Sequence, residues 1–346
     1  NNFKEYISMK YKIFSTFTGA GGLDIGFHGG FTFLKKRFKK LNFETKYSLD
    51  INKYAVETIS KDKKYFKNTT PLLGDITKFN PSEYKDENID VLLGGFPCVT
   101  FSIVGKQLGL KDDLNGKLYQ SFVKFVEVLQ PKIFIAENVK GILSANKGEA
   151  IKIIQKKFED TGYNLKVQLV NFADYGVPQL RERVLFIGVR SDIKEEFNIP
   201  KPTHFKKYIT SGQAFQNIPS NATNNIPSKQ IASTTEKLKA IPEGGNFKDL
   251  PPHLSIKALM SNIYRKLDRN KPAYTVLASG GGGTWTYHYE EPRALTNRER
   301  ARLQSFPDDL NFEGSNTEVR RQIGNAVPPV GIYHFAKEAE RILNLI

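Results

Sequence analysis

Five short apolar runs, each ending on a glycine or an acidic residue, recur before Asn138, and this alternation leaves few folds open. Residues 12–17 run into Thr18-Gly-Ala-Gly-Gly-Leu-Asp-Ile-Gly26, and residues 46–49 end at Asp50. Leu72-Leu-Gly leads to Asp75, residues 89–93 enter Gly94-Gly-Phe-Pro-Cys98, and residues 132–136 end at Glu137-Asn-Val139. Runs this short read as buried strands, and amphipathic helical patterns over 52–60 and 118–129 separate them. Alternating strands and helices predict an α/β domain with a mostly parallel sheet. In such a sheet the carboxyl ends of the strands share one rim, and ligands bind there. Gly19, Asp50, Asp75, Cys98 and Glu137 are therefore expected to meet at one site.

Cys98 is the only cysteine. The Gly-Gly-Phe-Pro before it is costly inside a strand or helix, so the turn presents the thiol at the rim instead of packing it in a core. A thiolate is the strongest side-chain nucleophile near neutral pH. One cysteine excludes an intramolecular disulfide, and the five histidines show no zinc-ligand spacing, so no metal is expected. The turn Gly19-Ala-Gly-Gly22 lets backbone approach a ligand at a helix N-terminus. Its spacing departs from the dinucleotide fingerprint Gly-x-Gly-x-x-Gly. Asp50, ending the second strand, stands where nucleotide-type folds hold ribose hydroxyls.

Beyond Val139 the pattern predicts a helix over 149–159 and strands over 164–170 and 184–189. Between those strands lies Asp174-Tyr-Gly-Val-Pro-Gln-Leu-Arg-Glu-Arg183. Arg181 and Arg183, two apart, would point the same way in an extended chain and hold a phosphate or carboxylate. The composition then changes. Residues 201–271 hold twelve Lys or Arg against four Asp or Glu, more than half of the chain's net charge of +15. Residues 191–291 read as a second, smaller domain of loops and short strands, and their basic and aromatic content suits a nucleic-acid surface. Thr296 and Glu299 form a capping box that opens a helix. A last amphipathic helix follows Gly324-Asn-Ala-Val-Pro-Pro329 and ends near Leu343. Residues 292–346 thus return to complete the domain begun by 1–190. No apolar run is long enough for a membrane span and the N-terminus lacks a signal peptide's apolar core, so a cytoplasmic location is expected.

The ordered series Phe17-Thr-Gly-Ala-Gly-Gly-Leu-Asp-Ile-Gly-Phe27, Gly-Phe-Pro-Cys98, Glu137-Asn-Val139, Gln179-x-Arg181-x-Arg183, Leu295-Thr-x-Arg-Glu-x-Ala-Arg-Leu-Gln-x-Phe-Pro-Asp308 and Gly324-Asn-Ala-Val-Pro-Pro329 resembles the cytosine-5 DNA methyltransferase family. The likeness is greatest to its bacterial restriction–modification members and covers nearly the whole chain, apart from the basic segment. It implies a class I S-adenosylmethionine-dependent methyltransferase fold, a Rossmann-like, mostly parallel sheet with a smaller target-recognition domain. It implies that Cys98 adds to carbon 6 of a cytosine flipped out of duplex DNA, making carbon 5 reactive towards a methyl group. Glu137, if protonated, would neutralise ring nitrogen 3, while Arg181 and Arg183 would hold the base oxygen, a phosphate or Glu137 itself. The Phe96 carbonyl, with Pro97 and Asn138, would meet the base.

By the same resemblance, S-adenosylmethionine would lie on Phe17, Gly19, Gly21 and Leu23. Asp50 would take its ribose and Ile51 its adenine ring. Asp75, beside Ile76, would take the adenine amine, and Asn325 and Val327 would close the far side. The loop from Val99 to about Lys117 would close over the base, with Ser102 and Val104 at the DNA. Val99 stands where the family commonly has Gln. Sequence reading is expected from Arg265, Arg269 and the loop carrying Gly281, Gly282 and Thr284, since bidentate arginine to guanine is the commonest specific contact. The expected enzyme is a monomer on double-stranded DNA at a bacterial nucleoid, with a cognate restriction endonuclease as its genetic companion.

A family member acting on RNA would share the chemistry, but the large basic segment favours duplex DNA. A binding protein without catalysis would have no need of Cys98, Glu137 and Arg183 together. A nicotinamide-dependent dehydrogenase would need a different glycine spacing and would leave the cysteine unexplained.

Overall fold

The computed structural model describes residues 10–97, 114–258, 260, 262–279 and 283–346. Its strands are β1 (Tyr11–Thr16), β2 (Thr32–Phe33), β3 (Lys36–Arg37), β4 (Phe43–Asp50), β5 (Thr70–Leu73), β6 (Val91–Gly94), β7 (Ile133–Val139), β8 (Tyr163–Asn171) and β9 (Glu182–Arg190). Its α-helices are α1 (Gly22–His28), α2 (Lys53–Lys61), α3 (Leu114–Leu129), α4 (Glu149–Glu159), α5 (Ser211–Phe215), α6 (Ala232–Ala240), α7 (Asn297–Leu303), α8 (Asn316–Asn325) and α9 (Pro329–Leu343). No helix among the described residues is long and apolar enough to cross a membrane.

Seven strands form one sheet in the order β5-β4-β1-β6-β7-β9-β8, and β2 and β3 form a separate hairpin. Neighbours from β5 to β7 pair in parallel, whereas β9 runs antiparallel to both β7 and β8. The central strands carry buried apolar residues on both faces, as at residues 91–93 and 133–136, because both faces of the sheet are covered. Their two-residue period sorts side chains into two cores. Ile13, Val91, Leu93, Ile133, Ile135, Leu185 and Ile187 enter one core, shared with α1 and α9. Phe14, Leu92, Phe134, Ala136, Val184 and Phe186 enter the other, shared with α3 and α4. Gly26 lets α1 and α9 approach closely, since a Cβ there would lie 2.1 Å from the Ile332 side chain and 2.8 Å from the Pro329 carbonyl oxygen.

The chain after Arg190 is tied back to this sheet. Ile193, Phe197, Ala214, Leu267, Ala273 and Val276 belong to the larger core. A small cluster of Leu238, Tyr287 and Ala294, flanked by Tyr264 and Trp285, packs by itself. The short strands expected over 191–291 do not form ladders among the described residues. Only isolated bridges occur, Gln179 with Ala273, Lys266 with Tyr287 and Tyr287 with Ala294. Frequent Pro, Asn and Ser interrupt the alternation a ladder needs. The expected capping box is present on α7, with Thr296 accepting from the Glu299 N–H and Glu299 accepting from the Thr296 N–H.

Candidate active site

The glycine turn after β1 is shaped by Asp50, at the end of β4. The Gly19 N–H donates to Asp50 Oδ2 at 2.7 Å and the Asn52 N–H donates to Oδ1 at 2.8 Å. Phe17 takes a left-handed φ of 51° and Gly19 one of 55°, a conformation rare outside glycine and often found at functional sites. A Cβ on Gly19 would meet no atom within 4 Å, so the turn borders open space. Beneath it Asp24 is fully buried, accepting from Ser15 Oγ at 3.0 Å and Thr45 Oγ1 at 2.7 Å. Burial pushes its carboxyl up to about 6, against those two hydrogen bonds.

β6 delivers Gly95-Phe-Pro97. The Phe96 ring is buried against Tyr119, Phe122, Phe158 and Phe186, which pins the turn to the core. Its carbonyl accepts from Asn138 Nδ2 at 3.1 Å. A carbonyl has a second lone pair, so it can still accept from a bound group. Cys98, the next residue, lies outside the described residues, as do Ser102 and Val104.

β7 delivers Glu137, which is 8% exposed. Arg183 Nε stands 2.7 Å from Glu137 Oε1, an ion-pair distance, yet its N–H is not aligned on that oxygen, which has no hydrogen-bond donor. Burial raises the Glu137 carboxyl above its ordinary value, against the opposing charges of Arg183 and Arg181. The reversed direction of β9 makes this pairing. Val139 lies opposite Arg183 in the register, so the first residues of β9 stand beside the last residues of β7.

Arg181 has a different environment from the one expected of it. Its guanidinium donates to the carbonyls of Val276 at 3.3 Å, Gly324 at 3.0 Å and Ala326 at 3.0 Å. Burial holds it down to about 9. Both arginines face the cavity and the Glu137 carboxyl, as two residues apart in an extended chain should. Only Arg183 stands at ion-pair distance from it, while Arg181 straps the end of α8 to the segment around Val276.

These elements enclose a cavity of about 390 Å³. Phe17, Gly19, Leu23, Asp50, Phe96, Pro97, Glu137, Asn138, Arg181, Arg183, Asn325 and Val327 all line it. Four other residues expected at the cofactor do not line this cavity. Gly21 backs onto Phe66, whose ring a Cβ would meet at 2.2 Å. Ile51 is 70% exposed, and Ile76 is buried in the second core. The Asp75 carboxylate accepts from the Thr77 N–H at 2.9 Å. Sequence reading missed Asn52, Ala55, Arg321 and Gln322, which do line the cavity. Arg321 and Gln322 carried a readable signal, because they lie one helical turn before Asn325.

Among the expected sequence readers, the Arg265 guanidinium lies 4.2 Å from the Tyr274 ring centre and the Arg269 guanidinium 4.9 Å from that of Tyr289. Arg269 Nε also donates to Glu243 Oε2 at 2.9 Å, so that arginine already holds a carboxylate. Thr284 is half-buried, and Gly281 and Gly282 lie outside the described residues.

Residues 11–341 match the family described as C-5 cytosine-specific DNA methylase. The chain is 49% identical over 339 residues to the type II methyltransferase M.NgoFVII of Neisseria gonorrhoeae, covering 95% of this chain and 86% of that one. It is 40% identical over 333 residues to M.BbvI of Brevibacillus brevis, covering 93% and 89%. Among solved structures, a DNA modification methyltransferase encoded within an E. coli prophage superposes with a TM-score of 0.71 at 24% identity, covering 96% of this chain and 99% of that one. At that identity the superposition speaks for the fold alone.

Proposed function

Because the chain belongs to the C-5 cytosine-specific DNA methylase family, we propose how its own residues divide the work of that reaction. The enzyme transfers a methyl group from S-adenosylmethionine to carbon 5 of a flipped-out cytosine in DNA. Its relatives from Neisseria and Brevibacillus are type II methyltransferases. We extend to this chain the marking of one specific duplex site against a cognate restriction endonuclease.

The cavity suits the cofactor. Gly19 opens onto free space, Phe17 and Leu23 offer apolar walls, and Asp50 keeps lone pairs beyond its two backbone partners. When bound, S-adenosylmethionine supplies an electrophilic methyl group. Phe17, Gly19, Leu23, Asp50, Asn325 and Val327 would hold it, with Ile51 against a flat ring system from the exposed side.

Cys98 would add as a thiolate to carbon 6 of the base, turning carbon 5 into an enamine-like nucleophile. Glu137 would donate its proton towards ring nitrogen 3, where negative charge accumulates. Its raised pKa keeps that proton available, and the neighbouring Arg183 would stabilise the carboxylate left behind. Arg181 would act as a positioning residue through the carbonyls it binds. The Phe96 carbonyl, oriented by Asn138, would accept from the exocyclic amine that distinguishes cytosine from thymine.

The observation that carries this assignment is Glu137, buried with a raised carboxyl beside Arg183, on the rim that ends in Gly-Phe-Pro before Cys98. A duplex carrying 5-fluorocytosine at the target should trap the enzyme as an adduct that peptide mapping places on Cys98. Cys98→Ser should form no adduct and show no measurable methyl transfer, yet keep duplex affinity, because the hydroxyl is close in size but almost never ionised near neutral pH. Substantial turnover by the serine variant would rule out covalent catalysis by this residue.

A further inference from the structure

Two arginines that the reaction does not use are buried without a carboxylate at ion-pair distance among the described residues. Arg300, on α7, is 2% exposed, and its Nε and Nη2 have no acceptor. Arg320, on α8, is 9% exposed, and its Nε has none. The nearest carboxylate is already taken. Glu299 receives Arg293 through both oxygens, at 2.8 Å each, and also the Thr296 N–H. Burial, with the like charge of Arg320 and against the opposing charge of Glu299, holds the Arg300 guanidinium down to about 9. What covers the pair is Trp285, whose ring centre lies 3.6 Å from the Arg320 guanidinium and 5.7 Å from that of Arg300.

A ring face is a weak partner for a guanidinium compared with an oxyanion, which accepts two parallel N–H bonds. Buried cations normally come paired, and a group left with idle donors is costly. Such a pair of guanidinium forks matches a phosphate better than a lysine pair would. The location fits as well. α8 carries Arg321 and Asn325 on the wall of the active-site cavity and Arg320 on Trp285. Trp285 belongs to the aromatic stretch Trp285-Thr-Tyr-His-Tyr289 beyond Gly283.

We propose that Arg300 and Arg320 form a seat for one backbone phosphate of duplex DNA, closed by Trp285 in the free protein and opened when that ring is displaced. The proposal rests on the reading that the enzyme acts on duplex DNA. A phosphate in the seat supplies acceptors to the idle donors and neutralises the mutual repulsion of the two cations. It positions the duplex against the rim without reading its sequence. Free phosphate shares the chemistry, but the duplex presents its oxyanion along with many other contacts.

Trp285 is the only tryptophan, so its fluorescence isolates this site. Saturating duplex should shift the emission of the wild-type protein, and millimolar inorganic phosphate should not. Arg320→Met should melt no lower than wild type, because an uncompensated buried charge is gone. The same variant should bind duplex roughly tenfold more weakly, the loss of a charge-assisted contact. That loss should be equal for target-containing and unrelated duplexes, and S-adenosylmethionine affinity should be unchanged. The slope of log affinity against log salt should become shallower by about 0.9, the contribution of one phosphate. Arg300→Met should behave alike, and Arg320→Gln, read by the same affinity and salt slope, keeps the test open if a Met variant does not fold. Wild-type affinity and salt slope in Arg320→Met, or emission unmoved by saturating duplex, would overturn the seat. A shift given by phosphate alone, with duplex binding insensitive to Arg320→Met, would make it a small-anion site and overturn the DNA assignment. Failure of the wild-type protein to bind any duplex would instead reject the underlying reading.

Discussion

At the rim of the sheet, Asp50 holds two backbone N–H groups and Glu137 stands 2.7 Å from Arg183. Across the basic segment and the helices beneath it, Arg265 lies over Tyr274, and Arg320 over Trp285. Both regions carry charge, but they hold it differently. The rim fixes its carboxylates with partners on strands and helix starts, so that little moves when the reaction begins. The basic segment rests guanidinium groups over ring faces, a contact of about 0.5–1 kcal/mol where exposed. Arg269 is held by Glu243 as well.

The contrast is sharpest at Glu137. Glu137→Gln keeps the shape but removes the acid, so turnover should fall by about 10²–10⁴ if the carboxyl is a general acid. Cofactor affinity, by titration, should barely change. The pH dependence has a definite sign. With the carboxyl raised by burial, the protonated form survives above the ordinary carboxylate range, and the wild-type rate falls as pH rises through that raised value. The Gln variant should lose this limb of the pH–rate profile. Equal loss of turnover and cofactor binding would mean that Glu137 only supports the rim.

Asp24 tests whether the rim's fixed geometry carries a stability penalty. Its carboxyl, raised from 3.8 to about 6 by burial, binds a proton more tightly in the folded than in the unfolded chain. The folded state is therefore favoured fully below the unfolded value, and that advantage is lost as pH rises through the folded one. Relative to Asp24→Asn, the wild-type unfolding free energy should fall by about 3 kcal/mol across this window and then level off. Denaturant unfolding of both proteins from acid to neutral pH measures it. A constant difference would show that the ionised carboxylate is fully compensated by Ser15 and Thr45.

On the other side, Arg265→Ala should relax or shift the methylated site by about 1–3 kcal/mol if this residue reads a base. Sequencing of methylated random duplexes gives the outcome. Arg269→Ala should change specificity only if DNA displaces Glu243 from that guanidinium. Unchanged specificity in both variants would reject these two readers.

What could be read from the chain alone was local. Apolar runs ending at Asp50, Gly94 and Glu137 became strand ends on one rim, because strand length, glycine and charge act within a few residues. The Thr296–Glu299 capping box and the last helix were legible for the same reason. The glycine turn, Asp50 and Glu137 accordingly line the cavity as the pattern implied. The direction of β9 was not legible, since parallel and antiparallel neighbours share one local pattern and only long-range pairing selects between them. That choice brings Arg183 to Glu137 and leaves Arg181 to bind main-chain carbonyls more than ninety residues away in sequence. Nor does anything near Arg300 or Arg320 in sequence mark them as buried. Their environment is made where α7, α8 and Trp285 meet, so only the tertiary packing could leave two cations there without a carboxylate at ion-pair distance.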